Sequence, residues 1–259
     1  MSHAVSNKLL REFLSKEGRV RVIDVGRSYT RFCEKMGGQT VVFEHDRPTS
    51  VNPFSGLRTE EQLDNMMPML QDVVRLLAYP LTQEEDAPAF DYKLISQAIR
   101  ESWLKKKDDT ELSDVAHWLE QFDDGTNRGE DLALQLEQFT SGQYQKWFSG
   151  QRTVSFDNPL VVIELDELKN DPLLQAVILP LVMYQITTEM YLSDRATPRL
   201  LLIDNAGGVL SGLANKLLET AYGLTRNHNV YVVFARPDEI KGRGWLFRLC
   251  RHFLPQRFS

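Results

Sequence analysis

Cysteine and long apolar runs are the features that this sequence has least of. The 259 residues include 2 cysteines, Cys33 and Cys250, too few for a disulfide scaffold or a thiolate metal site. No stretch approaches the roughly 18 uninterrupted apolar residues of a membrane span, and the first residues carry no charged-then-apolar signal sequence. We therefore expect a soluble, cytoplasmic protein that is at most peripheral to a membrane.

The chain also lacks an excess of basic charge. Its net charge is -6 and its pI is about 5.5, so bulk attraction does not draw nucleic acid to it. The exception is a basic tail, residues 241–259, which contains no acidic residue. We interpret this tail as a solvated or subunit-contacting segment, with a direct DNA contact as the alternative. Its basic residues include Lys241, Arg243, Arg248, Arg251 and Arg257.

Short, nearly continuous apolar runs occur near both ends of the chain. They predict five β-strands, at residues 19–25, 40–44, 159–165, 200–203 and 229–235. Helical patterns follow three of these runs, at residues 29–36, 173–192 and 210–225. Strands that alternate with helices favour right-handed parallel crossovers, and strands covered on both faces are apolar throughout. The pattern therefore predicts an α/β fold with a doubly wound parallel sheet.

The middle of the chain has a different pattern. Between residues 57 and 150 the strand signal disappears, and apolar residues recur at helical spacing. Pro80, Pro88 and the turn at residues 123–127 interrupt the helices. We therefore predict a helical insertion subdomain at 57–150, which separates the first part of the α/β core, 1–56, from the second part with the basic tail, 151–259.

Polar residues follow three of the predicted strands at their carboxyl ends. Asp24 ends the first strand, Asp204 and Asn205 follow the run at 200–203, and Arg236 follows the run at 229–235. The carboxyl ends of parallel strands meet at one edge of a sheet, where α/β proteins bind their ligands. The sequence therefore predicts one site at this edge.

The run that ends in Asp204 is typical of the metal-binding strand of a P-loop NTPase. Such an Asp orders the Mg²⁺ shell, and a neighbouring Glu often polarises the attacking water. Here that neighbour is Asn205, whose amide can orient water but cannot accept its proton at neutral pH. A positioned base contributes roughly 10²–10⁴ in rate. The segment therefore indicates an ATPase ancestry with a degenerate base position.

Two other folds compete for the turn after Asp24. An Asp-x-Gly turn also forms the first phosphate loop of actin-like and sugar-kinase ATPases, but a β-hairpin usually follows it there, whereas residues 32–36 have a helical pattern. A dinucleotide-binding fold needs further glycines that let a pyrophosphate approach the backbone, and residues 25–28 lack them. Both alternatives are therefore less favoured than the NTPase interpretation.

Two further sets of side chains could carry chemistry. Glu164 with Asp166 and Glu167 could form a carboxylate site, although a polar turn at the end of a strand is the simpler interpretation. Tryptophans could stack on bases, but their helical context favours packing. They are Trp103, Trp118, Trp147 and Trp245.

Several short motifs occur in a fixed order along the chain. They are Val22–Tyr29, Cys33, Gly37-Gly38, Asn52–Ser55, Val161–Leu168, Met183–Tyr191 and Leu202–Asp204. In this order and at similar spacing they resemble the C-terminal RecA-like motor domain of TraC-like, VirB-type conjugative-transfer ATPases of type IV secretion. The resemblance extends from about residue 2 to residue 235.

This resemblance implies a RecA-like P-loop NTPase sheet with an all-helical insertion, and ATP and Mg²⁺ as cofactors. It also implies a hexameric, cytoplasmic ring, peripheral to the inner membrane, that works with other type IV secretion components in pilus assembly and DNA transfer. By resemblance, Ser2 and Asp204 are Mg²⁺ ligands, and Ser2 and Asp24 belong to the nucleotide site. Arg236 takes the sensor position and Arg226 is a candidate finger to the next subunit.

The sequence also departs from the family pattern. The family's phosphate loop ends in Gly-Lys-Ser or Gly-Lys-Thr, whereas this sequence begins inside that motif with Met1-Ser2. The family's Asp-Glu-Ala-Trp is Asp204–Gly207 here, the strand that usually ends in Thr-Gln ends in Ala235-Arg236, and the basic stretch near 222–228 keeps only Arg226. We therefore expect a motor-domain fragment impaired in hydrolysis, with ATP binding in doubt. The alternative is a non-catalytic interaction or assembly subunit of the secretion machinery.

Overall fold

The computed structural model describes residues 3–44, 46, 49–79, 89–123, 125–192, 194, 196–204 and 229–234. By their contacts, these residues fall into two compact units. The first unit comprises Met1–Phe43, Ser155–Asn170 and Met183–Ser259, and the second comprises Glu44–Val154 and Asp171–Val182. The three-part division predicted from sequence remains a prediction of domain organisation.

A parallel sheet of five described strands forms the centre of the first unit. The strands are β1 (Arg19–Asp24), β2 (Gln39–Val42), β3 (Leu160–Glu164), β4 (Arg199–Asp204) and β5 (Val230–Phe234). Their spatial order is β2-β3-β1-β4-β5, and every pairing is parallel. This confirms the predicted α/β class, and the five strands lie within two residues of the predicted bounds.

The central strands of this sheet are buried, and helices pack against them. Every residue of β3 and β4 is buried, as expected of central strands that are covered on both faces. Helices α1 (His3–Ser15) and α2 (Thr30–Lys35) contribute to an apolar cluster against the strands. The cluster includes Leu10, Val22, Tyr29, Phe32, Cys33, Val162 and Leu202. The helix predicted at 210–225 lies outside the described residues.

A buried arginine interrupts the apolar strand β1. The side chain of Arg21 is 1% exposed, and its guanidinium donates to the carbonyls of Phe156 at 2.7 Å and Asn158 at 3.1 Å. It also donates to Glu189 Oε1 at 3.3 Å. Burial lowers the pKa of Arg21, and the Glu189 carboxylate opposes that shift. Carbonyls and one carboxylate therefore compensate for the buried charge.

The second unit is built from helices. They are α3 (Glu60–Ala78), α4 (Ala89–Lys106), α5 (Leu112–Gln121), α6 (Arg128–Thr140) and α7 (Gln145–Phe148). The helix α3 begins with a capping box, because Thr59 accepts from the backbone N–H of Gln62 and Gln62 accepts from that of Thr59. Helix α8 (Pro172–Leu192) has its first half in this unit and its second half in the first unit.

A buried ion pair joins three of these helices. Asp91 on α4 is fully buried, and Arg128 at the start of α6 donates to its two carboxylate oxygens at 2.8 and 2.6 Å. Tyr79, directly after α3, donates its hydroxyl to Asp91 at 3.1 Å. Two-pronged pairs of this kind fix geometry as well as charge. The pair therefore sets how α3, α4 and α6 meet.

A second polar contact lies at Asn52, which is 1% exposed. Its amide nitrogen donates to the carbonyls of Thr110 and Gly150, each at 2.9 Å. Its amide oxygen accepts from the backbone N–H of Phe54 at 3.0 Å. One side chain therefore connects three segments that are far apart in sequence.

Helix α8 contains the one candidate membrane span found among the described residues. Pro172–Met190 has 19 residues and a mean hydropathy of 1.3, which would suit a bilayer by length and composition. However, 72% of its apolar window is buried inside the protein. Burial within the fold therefore accounts for its composition, as in the core helix of a soluble protein.

Candidate functional site

Three adjacent strands end in a buried carboxylate at the carboxyl edge of the sheet. Asp24 ends β1, and in the strand register it lies opposite Glu164 of β3 on one side and Asp204 of β4 on the other. Asp24 and Asp204 are fully buried, and Glu164 is 1% exposed. The structure thus brings together Asp24 and Asp204, which the sequence placed at one edge, and adds Glu164 to them.

The turn after β1 points its backbone N–H groups at two of these carboxylates. Gly26 and Arg27 donate to the two oxygens of Glu164 at 3.3 and 2.8 Å. Tyr29 donates its N–H to Asp24 Oδ2 at 3.1 Å. A left-handed φ of 56° at Arg27 turns the chain so that successive N–H groups converge.

Converging N–H groups of this kind commonly bind anions, phosphate included. In this turn the protein's own carboxylates occupy them. This geometry argues against the phosphate loop of an actin-like ATPase at Asp24–Arg27, and it agrees with the helix α2 that follows the turn in place of a hairpin.

Glu164 accepts hydrogen bonds from two loops, whereas its place in the sequence indicates only a polar turn. Besides Gly26 and Arg27, it accepts from the N–H of Asp166 at 2.8 Å, so it also closes the turn after its own strand. Arg27 in turn pairs with Glu167, and both side chains are about half exposed. Glu164 is therefore the acceptor that orders two loops at this edge, whereas Glu167 carries only a surface ion pair.

The carboxyl group of Asp24 titrates far above the range of an ordinary aspartate. Burial raises its pKa to about 7, and the carboxylates of Glu164 and Asp204 act in the same direction. Backbone N–H groups of Tyr29 and Ser28 oppose the shift. Within the described residues, Asp24 Oδ1 has no hydrogen-bond partner. A buried carboxyl group of this kind needs a proton or a nearby cation.

Tyr29 also belongs to this edge of the sheet, although the sequence did not identify it as a site residue. Its side chain is fully buried, and burial raises the pKa of its hydroxyl. The Ser6 hydroxyl on α1 opposes that shift, whereas the nearby carboxylate of Asp204 adds to it. The Tyr29 side chain therefore lies close to the acid that ends β4. The available signal was its place in the Val22–Tyr29 motif.

We predict that Asp24→Asn stabilises the protein more at pH 8 than at pH 5. The folded-state pKa lies above the ordinary value of 3.8, so the folded protein holds this proton while the unfolded chain releases it. The contribution of Asp24 to stability is therefore highest below about pH 4 and falls as the pH rises towards 7. An amide keeps an acceptor for Tyr29 N–H and carries no charge. Between pH 5 and pH 8 the advantage of Asp24→Asn should grow by roughly 1–3 kcal/mol.

Thermal unfolding of both proteins at several pH values measures this difference. A difference that stays constant from pH 5 to pH 8 would show that Asp24 is not the group that carries the shift.

The described residues fit a Mg²⁺ site only in part. No group of three or more His, Cys, Asp or Glu side chains within them is arranged to hold a metal ion alone. Asp24 and Asp204 nevertheless offer the carboxylate oxygens that Mg²⁺ prefers, and in nucleotide sites one or two carboxylates usually act together with substrate phosphates. The donor set therefore suits a Mg²⁺–nucleotide complex better than a free ion.

Four site residues named from sequence lie outside the described residues. They are Ser2, Asn205, Arg226 and Arg236. The strands before two of them are described, because β4 ends at Asp204 and β5 ends at Phe234. Both strands run parallel to β1, so their carboxyl ends lie at the same edge as Asp24.

The chain matches the sequence model of a known family. The TraG P-loop domain model matches residues 2–217. Protein TraC of Escherichia coli (strain K12) is 28% identical over 235 residues, which cover 85% of this chain and 26% of TraC. The chain therefore spans about a quarter of the length of that relative.

A solved structure shares the fold. VirB4 of Thermoanaerobacter pseudethanolicus superposes with a TM-score of 0.71 at 16% sequence identity, over 92% of this chain and 68% of that structure. The parallel sheet with helices is thus the RecA-like P-loop NTPase fold. The chain belongs to the TraG P-loop domain family, and it is similar to TraC in sequence and to VirB4 in fold.

Proposed function

We propose that this chain is a degenerate motor domain of the conjugation machinery, which keeps the nucleotide edge of the fold and is impaired in hydrolysis. The observation that carries the proposal is the register of Asp24 and Asp204 at the carboxyl edge of the sheet. Buried carboxylates are costly without a compensating cation or proton, so their retention on neighbouring strands supports a site for Mg²⁺ and phosphate.

In this proposal Asp204 orders the Mg²⁺ shell together with the Ser2 hydroxyl. Asp24 lies beside Asp204 and holds a proton near neutral pH when no cation is near. The Tyr29 side chain lies close to the Asp204 carboxylate, and Glu164 fixes the turn that follows Asp24. A bound MgATP would supply the phosphoryl group, and its Mg²⁺ ion would supply the positive charge that compensates these carboxylates.

Residues 1–259 lack groups that ATP hydrolysis requires. Asn205 follows Asp204 at the position where a base would activate water, and its amide cannot take the proton. Residues 1–259 also contain no Gly-Lys-Ser or Gly-Lys-Thr sequence. The phosphate-facing lysine and the backbone cradle that such a loop supplies would have to come from elsewhere.

The partners proposed for the chain follow from its family. A homo-oligomeric ring, hexameric as in the family, would place Arg226 towards the next subunit and Arg236 at the sensor position. Such a ring would be cytoplasmic, peripheral to the inner membrane, and would act with other type IV secretion components. The basic tail would be solvated or would contact a neighbouring subunit, with a direct DNA contact as the alternative.

A second candidate function is a non-catalytic assembly subunit with the same fold. The specific observation that favours it is the sequence Asp204–Gly207, which replaces both the base and the bulky neighbour of the family motif. The two candidates differ in one respect. The motor needs Asp204 for its work, whereas the assembly subunit needs only the fold.

For a protein of residues 1–259 we expect no binding of MgATP in the low micromolar range and no phosphate release. Asn205→Glu alone should leave phosphate release at the level of an Asp204→Ala control, because chemistry requires phosphates that are already held in place. Calorimetry and a phosphate-release assay measure the two quantities. Phosphate release by Asn205→Glu above the control would contradict this account of the site.

A transfer assay separates the motor from the assembly subunit. In donor cells that lack this chain, conjugation frequency is measured after restoring wild type or Asp204→Ala at equal abundance. Failure of Asp204→Ala to restore transfer supports the nucleotide-dependent role. Full restoration would favour the assembly subunit.

A further inference from the structure

A groove between helices α5 and α6 has no part in the proposed nucleotide site. The two helices form a hairpin within the second unit, and they approach closely at one end, where a Cβ on Gly129 would lie 2.3 Å from the carbonyl oxygen of Leu119. Further along, small side chains such as Ala116 and Ala133 leave a cavity of about 610 Å³. This volume lies within the range of ligand-binding clefts.

The groove is lined by both apolar and acidic side chains. Leu134 on α6 is 66% exposed, which makes it the most exposed large apolar side chain among the described residues. Four acidic side chains also line the groove and are called its rim, and none of the described residues that line the groove is Lys or Arg. The acidic side chains are Glu120, Glu130, Asp131 and Glu137.

The spacing of these side chains matches one face of a helix. Glu130, Leu134 and Glu137 lie at i, i+4 and i+7 on α6, and His117 and Glu120 lie at i and i+3 on α5. The lining on α6 runs from Glu130 to Thr140, a length of about 15 Å or three helical turns. An amphipathic helix that enters such a groove uses apolar anchors at the same spacing.

The charge of the rim decides between possible occupants. Phosphate-bearing ligands, nucleic acid included, would be repelled by four carboxylates. A metal ion is disfavoured because no group of ligating side chains in the described part of the chain is arranged to hold one. Lysine or arginine side chains, in contrast, would meet a carboxylate on either side of the apolar centre.

We propose that the α5–α6 groove binds a basic amphipathic helix of about three turns from a partner protein. Leu134, Ala116 and Ala133 receive the apolar anchors of that helix. The four rim carboxylates receive its basic side chains and set its direction. The proposal does not depend on nucleotide binding at the sheet edge.

The test uses the full chain and a labelled synthetic helix of about 18 residues, with Lys and Leu at helical spacing. Fluorescence anisotropy measures its dissociation constant. Leu134→Asp should weaken binding about tenfold or more by removing the apolar anchor site. Glu130→Lys combined with Glu137→Lys should weaken it to a similar degree. Circular dichroism verifies that each variant keeps the wild-type helix content.

Matched controls distinguish peptide binding in the groove from general attraction between opposite charges. Glu34→Lys with Glu61→Lys changes the net charge by the same amount at exposed positions outside the groove, and binding should stay within about twofold of wild type. A scrambled peptide of the same composition should bind at least about tenfold more weakly. Equal loss with the control pair, or equal binding of the scrambled peptide, would overturn the proposal.

A peptide of residues 241–259 provides a third comparison, because this segment is basic and rich in apolar residues. Tighter binding of that peptide than of the synthetic helix would identify a copy of this chain as the occupant and would overturn the assignment to a partner protein. Weaker binding of the 241–259 peptide than of the synthetic helix, together with weaker binding of the synthetic helix by the groove variants, supports a partner protein as the occupant.

Discussion

Replacing Arg128 with alanine should lower the free energy of unfolding by about 3 kcal/mol or more. The carboxylate of Asp91 is fully buried and receives two hydrogen bonds from the Arg128 guanidinium. The hydrogen bond to Asp91 raises the pKa of Arg128, so the guanidinium stays charged at every pH of interest. Without the guanidinium, the buried Asp91 side chain keeps, within the described part of the chain, the Tyr79 hydroxyl as its side-chain donor. Thermal and urea unfolding measure the loss.

Two further variants make this test specific. Arg128→Lys keeps the charge but loses the planar fork, so its stability should lie between wild type and Arg128→Ala. Arg58→Ala removes an exposed arginine whose Nε lies 3.5 Å from Asp108, and it should cost less than about 1 kcal/mol. Equal stability of Arg128→Ala and Arg58→Ala would show that the buried pair does not hold the helices together.

Replacing Asn52 should be nearly as damaging, with a loss of about 2–4 kcal/mol for Asn52→Ala. The substitution leaves the carbonyls of Thr110 and Gly150 and the N–H of Phe54 without this partner in a buried region. Asn52→Asp should cost more than Asn52→Ala at pH 7, because a carboxylate would face two carbonyl oxygens. Unfolding experiments at pH 7 and pH 4 compare the two variants.

The pH dependence distinguishes charge from packing at this position. Protonation of the introduced aspartate removes its charge, so the gap between Asn52→Asp and Asn52→Ala should narrow at pH 4. Gln151→Ala removes an exposed amide that donates to Asp108 and Asp109, and it should change stability by less than about 0.5 kcal/mol. A gap between the Asn52 variants that is the same at both pH values would rule out the charge explanation.

The sequence was sufficient to predict the sheet because its signal is local. The run at 159–165 is apolar at nearly every position, and β3 is buried at every position. Helix α2 was predicted at 29–36 and extends from Thr30 to Lys35, just before the glycines that follow it. Such elements follow from hydrophobic continuity and from turn residues, both of which are visible within a short window.

The candidate site was predictable only in outline. Asp24 and Asp204 were placed at one edge because both follow strands, and the parallel register confirms that placement. Glu164 and Tyr29 were not assigned to the site, since Glu164 was interpreted as part of a polar turn at the end of a strand and Tyr29 as the first residue of a predicted helix. Their roles depend on which strands are neighbours, and the order β3-β1-β4 is not readable from any one segment.

By itself, the sequence determined the α/β class, the helical character of the described residues between the strands β2 and β3, the acids at strand ends and the amide at position 205. These properties depend on periodicity and residue type, which are local. Tertiary structure decided that Asp24 is buried and lies between two other carboxylates, so that burial and these charges raise its pKa. It also decided that Arg128 and Asn52 connect distant segments. Burial and hydrogen-bond partners arise only when remote parts of the chain meet, so no local pattern could specify them.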